Sequence, residues 1–224
     1  MIHHPITTHP MHITYRLKDS IPAQVFVALT HKYQLKKKGL SRQLRPKGRF
    51  STSPDYFTYQ EQLRAIDIDF YLVYDELLDK RKSGPDFLKD SAAKQIIIDS
   101  WHHIAIQYNL IVYAICVMSN HVHVIVSARD DDASISSETV IVNHKKFTAN
   151  KLNKLHNSKG RKVWAKDFFD RDIRSGSFNA VLWYVLNNPI KAGISPNPFT
   201  FPGTWWDPRL EEVYIKPYRH RWVA

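Results

Sequence analysis

The sequence predicts an α+β sandwich, a central antiparallel sheet with helices packed on one face. Three observations predict it. A β-branched run, Leu110 to Met118, is followed across Ser119-Asn120 by a second, His121 to Val126, which reads as two strands around a tight corner. Segments with helical apolar spacing alternate with strand-like ones in the order strand, helix, strand, strand, helix, strand, helix. The length, 224 residues, suits one domain, or one domain with a sizeable insertion, and would cramp two.

The first strand is expected at His12-Ile-Thr-Tyr-Arg-Leu, which alternates. Ile21 to Leu29 fits either an extended piece or the start of a helix. Lys36 to Pro54 reads as a basic loop, because it holds Gly39, Pro46, Gly48, Pro54 and several serines. Tyr56 to Lys82 has helical spacing at Leu63, Ile66, Phe70, Val73, Leu77 and Leu78, and stops at Ser83-Gly84-Pro85. A helix capped by Ser91 is expected over Ala92 to Tyr108, turning Ala93, Ile96, Ile97, Trp101 and Ile104 inward. After the two central strands comes a polar loop at Asp130 to Ser137, then a basic amphipathic helix from Val140 to Leu155. Val163 to Phe169 reads as a strand. Phe178 to about Asn187 reads as a helix closed by Pro189 and Gly193. The chain is expected to be one domain over 1–224, with a helical or loop insertion after the first strand at roughly 19–90. The Pro- and Trp-rich tail, 195–224, is expected to be irregular.

Charge points to a partner. Lys+Arg 32 against Asp+Glu 21 give +11, and the pI is near 9.6, so a polyanion is favoured, nucleic acid first and an anionic membrane second. The excess is clustered. From Ser20 to Pro54 there are eight Lys/Arg and no acid; from Asn143 to Arg174 there are ten Lys/Arg and three Asp. An apolar fraction of 43% supports a packed core. One cysteine, Cys116, excludes a disulfide framework and a Cys-based zinc finger. No apolar run is long enough to span a bilayer, and Met1-Ile-His-His-Pro lacks the order of a secretory signal. A soluble, intracellular protein is expected.

Two constellations can carry chemistry. In a strand, residues i and i+2 share a face, so His121 and His123 can ligate one divalent ion while Val122 faces the core. The bland reading of His-x-His, in a chain with 12 histidines, is coincidence or a solvent edge. Tyr184 and Asn188 stand four apart on one helix face. A phenol can be a nucleophile, and an amide oxygen can complete a shell of hard ligands. Against this, a helical tyrosine is commonly a core residue. Pro189 also pushes the Asn188 backbone away from an ideal helix.

Val117-Met-Ser-Asn-His-Val-His-Val-Ile-Val126, Phe169-Asp-Arg-Asp-Ile-Arg174 and Tyr184-Val-Leu-Asn-Asn-Pro-Ile-Lys-Ala-Gly193 together resemble the single-tyrosine HUH transposases, closest to their REP-associated branch. His12-Ile-Thr-Tyr-Arg-Leu and Val73-Tyr-Asp-Glu-Leu-Leu resemble that branch as well. The resemblance implies a ferredoxin-like sandwich. It implies Mg²⁺ or Mn²⁺ held by His121, His123 and Asn188, and Tyr184 as the nucleophile on single-stranded, hairpin-forming DNA. The product would be a 5′-phosphotyrosine link and a free 3′-hydroxyl. It also implies a prokaryotic cytoplasm, close to the nucleoid, and a monomer or homodimer. Ser119 stands where the family usually has proline.

Lys36, Lys37, Lys38 and Arg42 in the basic loop, with Lys145, Lys146, Lys151, Arg171 and Arg174, are candidate phosphate contacts. Trp164, Trp205 and Trp206 are candidate stacking platforms. Two alternatives stand beside the transposase. One is a non-catalytic regulator that binds such hairpins. The other is a metal-dependent phosphoesterase, which would need distant acids, because no carboxylate lies within four residues of either histidine.

Overall fold

The computed structural model describes residues 3–44, 54–80, 84–130 and 134–219. The chain forms two compact units, Ile21–Gly84 and the remainder, Met1–Ser20 with Pro85–Ala224. In chain order the strands are β1 (Pro5–Ile6), β2 (Met11–Leu17), β3 (Leu110–Val117), β4 (His121–Ala128), β5 (Ile135–Ser136), β6 (Trp164–Asp172) and β7 (Thr204–Trp206). The α-helices are α1 (Ala23–Leu44), α2 (Pro54–Asp79), α3 (Ser91–Gln107), α4 (Ser137–Leu155), α5 (Phe178–Leu186), α6 (Asn188–Lys191) and α7 (Lys216–Arg219).

The larger unit is built on an antiparallel sheet in the order β6-β2-β4-β3-β7. Taking the four long strands by chain order, the spatial order is fourth, first, third, second, with α3 between the first two and α4 between the last two. That is the ferredoxin-like arrangement. Period-two alternation decides which face each side chain takes. Ile13, Tyr15 and Leu17 of β2 and Val122, Val124 and Val126 of β4 form one core with Ala93, Ile97, Trp101 and Ile104 of α3 and Val140, Ile141 and Leu152 of α4. The other face carries His12, Thr14 and Arg16 from β2 and His121, His123 and Ile125 from β4.

A bulge at Tyr113 reverses the alternation of β3 between Val112 and Ala114. Ala114 and Cys116 thereby join Ile125 in a second core, closed by Val181, Leu182, Val185 and Leu186 of α5. Helices on one face describes α3 and α4; α5 covers the opposite face. The α3 cap is Asp90, whose carboxylate accepts from the Ala92 amide at 3.0 Å, and not Ser91.

The smaller unit is the antiparallel pair α1 and α2. Ile21–Leu29 is helical from Ala23, and the part of the expected loop from Lys36 to Leu44 is the second half of α1. One glycine, Gly39, does not outweigh a run of Leu, Lys and Gln that favours helix. The helix is further fixed by buried Tyr33 and Leu40, with the Tyr33 hydroxyl donating to Asp69 Oδ2 at 2.8 Å. Arg45, Lys47 and Arg49 of that expected loop lie outside the described residues.

The tail departs from the irregular structure expected of it. Val117 N donates to Gly203 O at 2.8 Å, and Thr204, Trp205 and Trp206 then pair with Cys116, Ile115 and Ala114 as strand β7. Glycine is required there: a Cβ on residue 203 would sit 2.3 Å from the Val117 carbonyl oxygen.

Candidate active site

The register of the sheet assembles the site. Thr14 is paired with both Phe169 and His123, and His123 with Cys116, so these four form one row across β6, β2, β4 and β3. Arg171, His12, Ile125 and Ala114 form the next row. Cross-strand partners point the same way, so Arg171, His12, His121 and His123 share a face. It is the face covered by α5.

His121 and His123 are buried, with ring centroids 4.8 Å apart and planes nearly perpendicular. His123 Nδ1 lies 3.0 Å from Thr14 Oγ1 and 3.2 Å from His12 Nε2. His121 Nδ1 lies 2.6 Å from Asn120 Oδ1. Half-buried Tyr184 presents its ring edge-on to His123 and His12, each at 6.1 Å between centroids. Lys191 Nζ stands 5.4 Å from the Tyr184 ring centre.

Asn188 is placed by a break one residue before it. α5 ends at Leu186, Asn187 bridges, and Asn188 opens α6 with Pro189 in its first turn, where a missing N–H is tolerated. The Asn188 backbone is therefore helical despite the following proline. Its amide Nδ2 donates to the Tyr184 carbonyl at 3.0 Å. That donation fixes which atom is oxygen, and Oδ1 is buried without a hydrogen-bond partner among the described residues. A buried amide oxygen left unpaired is costly unless something accepts its lone pairs. A divalent cation does so. With the two imidazoles this oxygen would give a nitrogen and oxygen donor set of the kind that takes a divalent cation. Cys116 points its thiol at Met118 Sδ, 3.6 Å away.

The structure brings together His121, His123, Tyr184 and, on the same sheet face, Arg171. It does not add the α4 lysines, because α4 packs on the opposite face. Lys146 and Lys151 are exposed there. Lys145 is spent on the fold. Where β6 bulges against β2, between the Tyr15 and Leu17 pairings, its Nζ donates to the carbonyls of Ala165, Lys166 and Asp167 at 2.9, 3.2 and 3.0 Å. Burial pushes this ammonium down to about 8.

In the smaller unit Lys36 pairs with Asp69 at 2.8 Å and Lys37 with Asp67, while Lys38 and Arg42 are exposed. Arg174 is exposed beyond the end of β6. The three tryptophans are packed. Trp164 donates to Thr148 Oγ1, Trp206 to Glu211 Oε2, and Trp205 meets the His102 ring at 4.5 Å. Sequence reasoning missed His12, Thr14, Asn120 and Lys191. Asn120 adjoins a proposed ligand, and Lys191 lies inside the tyrosine motif, so both were within reach of it.

Residues 81–188, a little under half of the chain, match the family model described as "Transposase IS200 like". The matched segment contains His121, His123, Tyr184 and Asn188. Over that segment the chain is similar to the IS200-like transposases, which bears out the resemblance read from its motifs. A solved structure described as "Structure of the REP associates tyrosine transposase bound to a REP hairpin" aligns over 91% of this chain and 80% of its own, with 12% identity and a TM-score of 0.47. No curated protein matches the chain. Among the described residues, no helix is long and apolar enough to cross a membrane.

Proposed function

We propose that the protein cuts and rejoins single-stranded, hairpin-forming DNA through a covalent link to Tyr184. The carrying observation is the Tyr184 ring 6.1 Å from His123, with Asn188 at the start of the next helix and its amide oxygen buried without a hydrogen-bond partner among the described residues. The match of residues 81–188 to IS200-like transposases supports the same reading. The preference for hairpins rests on the likeness of the sequence motifs to the REP-associated branch.

Tyr184 Oη attacks the scissile phosphorus as the bond to the 3′-oxygen breaks. The phenolic proton is lost, the departing 3′-oxygen becomes a hydroxyl, and the 5′-phosphate stays on the tyrosine. Reversal by another 3′-hydroxyl joins strands without an external energy source, because the phosphotyrosyl ester retains the phosphodiester energy. His121, His123 and Asn188 would hold Mg²⁺ or Mn²⁺. Bound there, the ion supplies neutralisation and polarisation of the phosphate. Arg171, on the face of the histidines, serves as the nearest phosphate contact. Lys36, Lys37, Lys38, Arg42, Lys146, Lys151 and Arg174 are further proposed backbone contacts, and Lys145 is not. The chain works as one domain, with 19–90 as an insertion, in the cytoplasm beside the nucleoid.

Labelled hairpin oligonucleotides incubated with Mn²⁺ or Mg²⁺ and run on denaturing gels test this. A covalent adduct that Tyr184→Phe abolishes is the expected result. Binding without any adduct would favour a hairpin-binding regulator. Phosphoester turnover that survives Tyr184→Phe would favour a hydrolase.

A further inference from the structure

We propose that Asn120 is a positioning residue: its side chain fixes His121 in the tautomer that carries its proton on Nδ1, turning Nε2 to the metal. This rests on the metal reading given above. The His121 Nδ1 to Asn120 Oδ1 contact is 2.6 Å, and an amide oxygen only accepts, so the ring nitrogen facing it is the donor. A neutral imidazole has one proton to place, and the lone pair then falls to Nε2.

Asn120 is itself held. It is buried, at 7% exposure, in the turn between β3 and β4. Its backbone carbonyl accepts from Leu17 N at 2.8 Å, pinning the turn to the end of β2. Across the base of the same turn Met118 N donates to His121 O at 2.9 Å, which fixes the start of β4. The ring that must be oriented and the group that orients it are thus consecutive residues on a tied backbone. Partners of this kind raise metal affinity by roughly 10–100-fold.

Aspartate reaches as far as asparagine and only accepts, so Asn120→Asp preserves the function while Asn120→Ala removes it. The tautomer of His121 is read by ¹⁵N–¹H correlation of the histidine rings in metal-free protein, and affinity by titration with Mn²⁺ alone, following free Mn²⁺ by EPR. Expected are an Nδ1–H His121 in the wild type, loss of that state in Asn120→Ala with Mn²⁺ binding weaker by roughly 10–100-fold, and recovery of both in Asn120→Asp. A His121 tautomer unchanged in Asn120→Ala overturns the proposal, as does a changed tautomer with unchanged affinity. If the wild type binds no Mn²⁺ while the tautomer still follows residue 120, positioning stands and the metal reading fails. Loss of folding in Asn120→Ala leaves Asn120→Asp to decide: wild-type tautomer and affinity uphold the role, and loss of either in a folded Asn120→Asp overturns it.

Discussion

Acid should weaken the fold through one buried histidine, His144. It lies under β2, with Nε2 2.6 Å from the Tyr15 hydroxyl and Nδ1 2.9 Å from Ser100 Oγ, while Trp101 donates to Tyr15 at 3.0 Å. Burial, with the neighbouring Lys145 charge, pushes its pKa down from 6.5 to about 3. The unfolded chain therefore takes up a proton below pH 6.5 that the folded protein refuses until about pH 3. The stability lost this way is absent above pH 6.5 and grows as pH falls through that window. Between pH 7 and pH 5 the single group costs about 2 kcal/mol. For a chain of this size that lowers Tm by about 4–8 °C. Because other histidines titrate too, the measurement is a difference. Thermal melts of the wild type and His144→Gln at both pH values should show the variant losing less, by about that amount. Equal losses in both proteins would refute the assignment of a neutral, proton-refusing His144.

Three further outcomes are expected. Lys145→Met should destabilise by about 2 kcal/mol, since it strips the donor from three carbonyls at the β6 bulge, yet leave the salt dependence of DNA binding unchanged. Arg171→Ala should reduce the slope of log K against log salt by about 0.7, the loss of one phosphate contact on a single strand; filter binding across a salt series reads both. Gly203→Ala should cost on the order of 2–4 kcal/mol in denaturant melts, because the new methyl group meets the Val117 carbonyl and pries β7 from the sheet.

What the sequence disclosed and what it hid follow from how far each interaction reaches along the chain. Alternation placed β2, β3 and β4, and with them the shared face of His121 and His123, because a strand's facing is local. The contribution of His12 was hidden: it meets His123 across 111 positions of sequence. Lys145 looked like a phosphate contact beside Lys146, since both are lysines on a basic helix. Only packing shows one ammonium half-buried against carbonyls and the other residue exposed. Gly39, with the prolines, glycine and serines that follow it, suggested a loop, while the burial of Tyr33 and Leu40 in the α1–α2 unit holds a helix as far as Leu44. Strand β7 depends on Gly203 meeting Val117, a contact that composition does not announce. Tyr184 and Asn188 were expected on one face of a single helix; they stand on consecutive helices, tied by the Asn188 amide donating to the Tyr184 carbonyl, and the break at Asn187 between them was not visible from the proline alone.

The central claim is that Tyr184 is the atom donor to DNA. After reaction of the full chain with a hairpin oligonucleotide and Mn²⁺, nuclease trimming and tryptic peptide mass spectrometry locate the attachment. The account predicts a 5′-nucleotide mass on the peptide carrying Tyr184, assigned to that residue by fragmentation and absent from Tyr184→Phe. A nucleotide found on any other side chain, or an adduct that persists in Tyr184→Phe, would contradict it.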